Sequence, residues 1–507
     1  MQISKSEYMM FLKHPLYIWL KKHDKSKLPA VTPALQAIFD TGHMFEAFAE
    51  KIFDNPTKLG FDSYQDYLSL PRRTQEAIAN VSINASEKNK QTVLQARFES
   101  MVNKASVTCI SDAIVFVDPN MIDLYEIKSG TRVKQENLYD LAFQKLVIEQ
   151  SGIAIRDIYV INVNNAYVRS GDININELCT QTKVTNEVEE LLEKTAHSIE
   201  LANKCISSKT MPLLEVPDVD DGAEVINAWL ELYSIFNPIK SGSIFELSWP
   251  KNRIAQLHGL GVANLVDIAD DFELSTKQKL QVNSIKTKEQ YIEVEPIKEF
   301  LDEFQYPLYF LDYETAMSVI PPFDNTSPYQ QIPFQFSLHI LDTPNGQLRH
   351  EMYLHKENND STYELSKYLQ KHIGDSGSIV TWNASFEKGC NTLMGEIHPE
   401  FEKFYNDVNE RIVDLAIPFQ KNWYVDYRFL GSYSIKKVLP VLVPELSYKD
   451  LGINEGLSAQ RNWMDAILEE KFTAKRRQQI LDDLEKYCEL DTLAMVEIYR
   501  FLKTQID

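Results

Sequence analysis

The chain has 507 residues, 44% apolar and 25% charged, which is the balance of an ordinary folded protein with room for two or three domains. It has no apolar run of membrane-spanning length, and residues 1–12 carry one lysine and no sustained apolar stretch, which argues against a spanning helix and a secretory leader. A formal charge of −21 excludes a broadly basic surface that holds nucleic acid by charge alone, but not a site that works through carboxylates and a divalent metal.

In chain order, residues 5–23 have helical periodicity with one aromatic face: Tyr8, Phe11, Leu12, Leu16 and Trp19. Residues 34–53 form a second predicted helix. Strands follow at 96–101, 106–117 and 121–128, then a helix at 138–150 and a strand at 158–164. The Asp118-Pro119-Asn120 turn predicts a hairpin between the second and third strands. Residues 206–250 read as a connector with one helix near 225–234. At 257–262 two glycines, Gly259 and Gly261, sit in a short apolar turn. That turn is either a tight link between two helices or a helix–hairpin–helix whose backbone amides face a phosphate. From Pro307 a new α/β pattern begins, with strands at 308–312, 334–341 and 378–382 and one or two long helices over 474–503. Lys475, Arg476 and Arg477 are either a phosphate-binding patch or a solvated helix face. The five cysteines (Cys109, Cys179, Cys205, Cys390, Cys488) contain no CxxC pair. The expectation is therefore reduced thiols in a cytoplasmic protein, with no disulfide framework or zinc ribbon.

Two constellations carry chemistry. In the first, Asp112 lies on one strand of the predicted hairpin and Glu126-Ile127-Lys128 on the next. Strand residues two apart share a face, so Glu126 and Lys128 project together and Asp112 sits across from them. Two carboxylates and the Ile127 carbonyl can hold Mg²⁺ or Mn²⁺, and the lysine can orient or deprotonate a water. Taken alone, such a pair is also what a surface salt bridge looks like. The set, with Tyr139 and Gln144 on the helix that follows, resembles the PD-(D/E)XK nucleases of the RecB-like branch. The opening Ile3-Ser4-Lys5-Ser6 and the Phe11-x-x-His14-Pro15 element are similar to that branch as well, over roughly residues 1–165. His14-Pro15 stands where the branch usually has Cys-Pro, and the cysteines of its iron–sulfur members are absent. For the metal ligand that the resemblance implies on an early helix, Glu46 is the first candidate and His43 the second.

In the second constellation, Asp312 and Glu314 alternate at the end of an apolar strand and can share a metal. The stretch 381–387 runs from strand to helix and delivers Glu387. Tyr487 and Asp491 lie at i and i+4 on a terminal helix. Four carboxylates can bind two metals, and the tyrosine hydroxyl can orient an attacking water. In this order the motifs resemble the tyrosine subgroup of the DEDD (DnaQ-like) 3′→5′ exonucleases, with Glu387 in place of the usual aspartate and Asp414 as a spare carboxylate. The stretches 321–335, 431–436 and 438–440 are similar to a bacterial family numbered 2779 among the domains of unknown function, over about 306–503. Its members often follow a RecB-like half.

The resemblances together imply an α/β chain in three parts: a restriction-endonuclease-like PD-(D/E)XK domain at 1–205, a helical connector at 206–298 with a helix–hairpin–helix candidate, and an RNase H-like domain at 299–507. The implied function is a metal-dependent nuclease acting on DNA in preference to RNA, in repair, processing or defence. The alternatives are a nucleic-acid-end scaffold that has lost catalysis and an RNA-processing exonuclease.

Overall fold

A computed structural model describes residues 1–80, 91–216, 223–250, 252–449, 451–453 and 455–506. It is a mixed α/β chain that divides into two compact units: Met1–Ile239 with Ser318–Tyr329, and Lys240–Met317 with Gln330–Asp507. No helix among the described residues is long and apolar enough to cross a membrane. The predicted connector is shared between the units, and its residues 217–222 lie outside the described residues. The helix predicted near 225–234 is Ala223–Phe236, and within 206–298 the described residues also form the helices Arg253–Gly259 and Thr276–Thr287 and the start of Val294–Asp302.

The strands of the first unit are β1 (Ile3–Ser4), β2 (Thr57–Lys58), β3 (Thr92–Val102), β4 (Ala105–Asp118), β5 (Met121–Lys128), β6 (Ala154–Val163) and β7 (Cys179–Lys183). They form one sheet in the order β2-β3-β4-β5-β6-β7, with β1 beside β4. β3 and β4 are joined by a tight turn at Asn103-Lys104, both at positive φ as a twisted hairpin requires. The predicted second turn closes with Asn120 N donating to the Asp118 carboxylate at 2.9 Å. β5 and β6 are parallel, and the helix Gln135–Gln150 makes the crossover between them. That helix buries Leu141, Phe143, Val147 and Ile148 against the sheet.

The predicted single helix over 5–23 is in fact two, Lys5–Lys13 and Pro15–His23. Pro15 forces His14 out of the helical region, to φ −167 and ψ 134, and the His14 ring then accepts from Leu16 N and caps the second helix. The stretch 318–329 packs within this unit. Val319, Ile320 and Tyr329 join Phe45, Ile127 and Ile161 in one apolar cluster, and Arg169 donates to the Pro321 and Pro322 carbonyls.

In the second unit the strands are β8 (Tyr291–Ile292), β9 (Leu308–Ala316), β10 (Ile332–Leu341), β11 (Leu348–Leu354), β12 (Ser378–Thr381), β13 (Ile412–Asp414) and β14 (Tyr424–Val425). The main sheet runs β11-β10-β9-β12-β13, and β8 pairs with β14 apart from it. β10 is antiparallel to both its neighbours, while β12 is parallel to β9 and β13. The strict alternation of β9 splits its side chains between two cores. Leu308, Phe310 and Ala316 face one long helix, Ala474–Thr504, through Ile480, Leu484, Tyr487 and Tyr499. Tyr309, Leu311 and Tyr313 face the helices Thr362–His372, Ala384–Ile397 and Glu402–Glu410 on the other side. Asp312 and Glu314 belong to the first register, so they point toward the long helix.

Candidate active sites

In the first unit, a break in strand pairing makes the site. The first half of β4 pairs with β1 (Ser4 with Thr108) and the second half with β5 (Ala113 with Tyr125). Asp112 falls in the gap between them. Its Oδ2 accepts from Ile127 N at 2.7 Å, so the side chain takes the place of a missing ladder partner. Across from it on β3, the ladder skips Gln95, which sits at φ 57, a strained region for a non-glycine. Gln95 Nε2 reaches Glu46 Oε1 at 3.3 Å. Glu46 stands close enough to Asp112 to repel its charge, and His43 is exposed.

Glu126 is fully buried and completely engaged. Its Oε1 accepts from Lys128 Nζ at 2.6 Å and Lys5 Nζ at 2.9 Å, and its Oε2 from Gln144 at 2.6 Å. Asp140 completes the cluster, 3.2 Å from Lys128, 3.4 Å from Lys5 and 2.9 Å from Gln144. Lys5 and Asp140 were not assigned from sequence. Asp140 was within reach of sequence reasoning, being one helical turn before Gln144. Lys5 starts the helix that Ser4 and Glu7 cap reciprocally, which points its side chain into the gap. The electrostatics divide the two acids. Burial and the Glu126 charge push Asp112 up to about 7. Glu126 is itself deeply buried, but the charges of Lys128 and Lys5 overcome that burial and hold it below the ordinary carboxylate range.

In the second unit, Asp312, Glu314, Tyr487 and Asp491 line one cavity of about 250 Å³ together with Trp382, Phe386, Ile435 and Lys436. One ligand atom each from Asp312, Glu314 and Cys488 lies within 4.8 Å of the others. The Cys488 thiol donates to Asp312 Oδ2 at 4.0 Å, so it is not the indifferent thiol that its lone position suggests. Tyr448, also unassigned from sequence, donates to Asp491 Oδ1 at 2.6 Å. Lys436 stands over the rings of Tyr487 and Tyr448 at 4.9 and 5.5 Å. It lies in the distinctive 431–436 stretch, which was the signal available for it.

Glu387 comes from the first turn of Ala384–Ile397, behind Asn383 in the left-handed region at φ 76; it is not part of that cavity's lining but stands close enough to Asp312 to repel its charge. It is 1% exposed, and its Oε2 has no hydrogen-bond partner. The spare carboxylate, Asp414, is occupied structurally: its Oδ1 accepts from Asn383 N and Ala416 N at 3.1 and 2.9 Å. Every acid of the set is shifted the same way. Burial, then repulsion from Asp491, holds Asp312 and Glu314 well above the carboxylate range. Burial pushes Glu387 up to about 8 and Asp491 up to about 6. Burial and the neighbouring acids also raise Tyr487, so its hydroxyl keeps its proton. Such a cluster demands positive charge, and Lys436 supplies one unit of it.

The Gly259–Gly261 turn has no free amides for a phosphate. Leu260 N bonds Gln256 O, Gly261 N bonds His258 O and Val262 N bonds Leu257 O, at 2.9–3.0 Å. The turn seals the C-terminus of Arg253–Gly259, and the next element is a short 3₁₀ turn, Leu265–Asp267, rather than a helix. Of the basic cluster, Lys475 and Arg476 are exposed, while Arg477 donates to the Lys356 carbonyl.

Residues 309–434 match the family described as a domain of unknown function, DUF2779. The match takes in Asp312, Glu314 and Glu387 and stops before Tyr487 and Asp491. An uncharacterised protein of Ureaplasma parvum serovar 3 is 28% identical over 219 residues, 39% of this chain and 31% of that protein. One of Mycoplasma genitalium is 30% identical over 218 residues, 39% of this chain and 32% of that protein. The chain thus matches about a third of the length of these curated relatives.

Proposed function

We propose that this protein is a divalent-metal-dependent nuclease whose principal site is the second-unit cluster, acting as a 3′→5′ exonuclease on DNA in preference to RNA. The observation that carries the reading is the convergence of Asp312, Glu314, Glu387, Tyr487 and Asp491 from three separate elements. The strand order of the main sheet, third-second-first-fourth-fifth with only the second strand reversed, supports an RNase H-like fold for this unit. The hairpin followed by a parallel β5–helix–β6 crossover supports a PD-(D/E)XK-like fold for the other.

The donor set suits Mg²⁺ or Mn²⁺. Asp312, Glu314 and Asp491 line the cavity, Glu387 stands close enough to Asp312 to repel its charge, all four are held above their ordinary range, and the buried Glu387 Oε2 has no hydrogen-bond partner. When bound by Asp312, Glu314, Glu387 and Asp491, such ions supply an acidified water and neutralise charge on the scissile phosphate. The protein's own residues do the rest. Tyr487 stays protonated, so its hydroxyl orients a water by hydrogen bonding and does not act as a base. Lys436 gives phosphate oxygens a fixed positive partner. Trp382 and Phe386 form an aromatic wall on which a terminal base can stack.

The first-unit acids fit a cation less closely, because Glu126 Oε1 is already held by Lys5 and Lys128. In the proposal, Asp112, Glu126, Lys128 and Gln144, with Glu46 and the Ile127 carbonyl as further metal donors, form a second and subordinate site.

The test uses purified protein with Mg²⁺ or Mn²⁺ and end-labelled single- and double-stranded DNA and RNA. The variants are Glu126→Ala, Asp312→Ala and the double mutant. The wild type should release mononucleotides from 3′ ends, Asp312→Ala should lose that activity and Glu126→Ala should keep it. A wild type as inactive as the double mutant on every substrate would sink the proposal.

A further inference from the structure

A different group of metal-ligating side chains lies elsewhere in the second unit, and the cluster described above does not use it. His339 on β10 and His350 on β11 are direct cross-strand partners, with rings stacked 4.4 Å apart. Glu489 reaches them from the helix Ala474–Thr504, its Oε1 3.8 Å from His350 Nδ1. One ligand atom from each of the three lies within 4.8 Å of the other two.

The hydrogen bonds around the rings decide which nitrogens are available. The Thr492 hydroxyl donates to the Glu489 carbonyl at 3.1 Å, so its oxygen is an acceptor for its other partners. Those partners are His339 Nδ1 at 2.8 Å and Ser337 Oγ at 2.7 Å. His339 therefore carries its proton on Nδ1, and Ser337 spends its own proton on Thr492. Ser337 in turn accepts from His350 Nε2 at 2.8 Å, which puts that ring's proton on Nε2. One proton assignment satisfies every bond and leaves a lone pair on His339 Nε2 and on His350 Nδ1. Holding the far nitrogen of each imidazole on a hydroxyl is how proteins orient histidine ligands.

We propose that His339, His350 and Glu489 form a binding site for a borderline divalent transition ion of the Zn²⁺ class. Two imidazole nitrogens and one carboxylate oxygen suit that class and not Mg²⁺. His339 is buried, which disfavours a charged ring and suits the neutral form a ligand must take. His350 and Glu489 are partly exposed, which gives an ion a way in from solvent. The ion would clamp Ala474–Thr504 to β10 and β11 within one turn of Tyr487 and Asp491. The site stands independently of the nuclease reading.

The test is calorimetric titration of the chelator-stripped full chain with Zn²⁺ in excess Mg²⁺, with Co²⁺ absorption as a second readout. One Zn²⁺ equivalent should bind the wild type. His350→Ala should abolish it, Glu489→Gln should weaken it, and Thr492→Val should weaken it about tenfold through lost ring orientation. Asp312→Asn should bind the same equivalent, because it alters only the other donor group. The Co²⁺ spectrum should show nitrogen and oxygen ligation without a thiolate band. Absence of Zn²⁺ binding overturns the assignment. So does binding that survives in both His350→Ala and Glu489→Gln, binding lost in Asp312→Asn, or a thiolate band that puts the metal on Cys488.

Discussion

Tyr448 donates a 2.6 Å hydrogen bond to Asp491 Oδ1, although the two residues lie 43 positions apart. The bond favours the charged form of a buried carboxylate that burial alone would neutralise. Tyr448→Phe removes it without changing the side chain's shape. Asp491 should then titrate above its present value of about 6, and Mn²⁺ affinity near neutral pH should fall about tenfold. The acid limb of the pH–activity profile should move to higher pH. A purely structural role would lower the melting temperature and leave that limb in place, which would refute the assignment.

The acid cluster also makes stability depend on pH in a definite direction. Glu387 rises from 4.5 to about 8 and Asp491 from 3.8 to about 6 on folding, and Asp312 and Glu314 are raised as well. Groups raised on folding stabilise the protein fully below their unfolded values and lose that contribution as pH climbs through the folded ones. Glu126 is shifted the opposite way, but its contribution is complete above 4.5 and is lost only as pH falls below that. His14, His339 and His350 are lowered on folding and act in the opposite sense up to their unfolded value of 6.5, so the metal-free protein should lose thermal stability from about pH 6.5 to pH 8. Mn²⁺ competes with those protons, so it should raise the melting temperature more at pH 8 than at pH 6. Equal stabilisation at both values would contradict the cluster's role as a cation site.

Glu387→Gln separates binding from folding. The carboxyl is buried and its Oε2 is unpartnered, so folding must either desolvate its charge or protonate it, and the amide removes that cost. The variant should melt at or above the wild-type temperature without metal. It should also lose most of the stabilisation that Mn²⁺ gives, along with activity. Undiminished metal-dependent stabilisation would remove Glu387 from the ligand set.

Lys5 bears on the first unit. Its ammonium lies 2.9 Å from a fully buried Glu126. Lys5→Met deprives that carboxylate of one of two cations and should cost on the order of 3 kcal/mol in chemical denaturation. Adding Glu126→Gln should recover part of the loss, because the unpaired charge then disappears. Additive losses would show that the two residues are not coupled.

What the sequence revealed about these sites follows the range of the interactions. Asp312 with Glu314, and Tyr487 with Asp491, obey strand and helix periodicities that span a few residues, and each pair does share a face. Lys5 meets Glu126 across 121 positions, and no local pattern announces that. The same holds for Cys488 beside Asp312, where a lone cysteine on a helix has no signature until β9 is laid against it. The break at His14-Pro15 was written in the chain, but apolar periodicity continued through it and concealed it. The Gly259–Gly261 turn had two readings because glycine serves both a helix end and a phosphate loop. Only the destinations of the amide hydrogens separate them.

Two glycines near the second site should respond oppositely to the same substitution. Gly377 has φ +95, and a Cβ there would lie 2.1 Å from the Pro307 carbonyl oxygen. It opens β12, whose Ser378 pairs with Leu308 and bonds Gln305 O at 2.7 Å, so neither backbone can retreat without breaking the ladder that leads to Glu387. Gly377→Ala should cost at least about 2 kcal/mol through a left-handed backbone and a direct collision. Gly389 lies in Ala384–Ile397 with nothing within 4 Å of an added Cβ. Gly389→Ala should stabilise by up to about 1 kcal/mol, since alanine gives up less freedom on entering a helix. Differential scanning calorimetry of both variants reads the contrast. A Gly377→Ala protein that melts with the wild type would mean that β12 does not approach Pro307 as described.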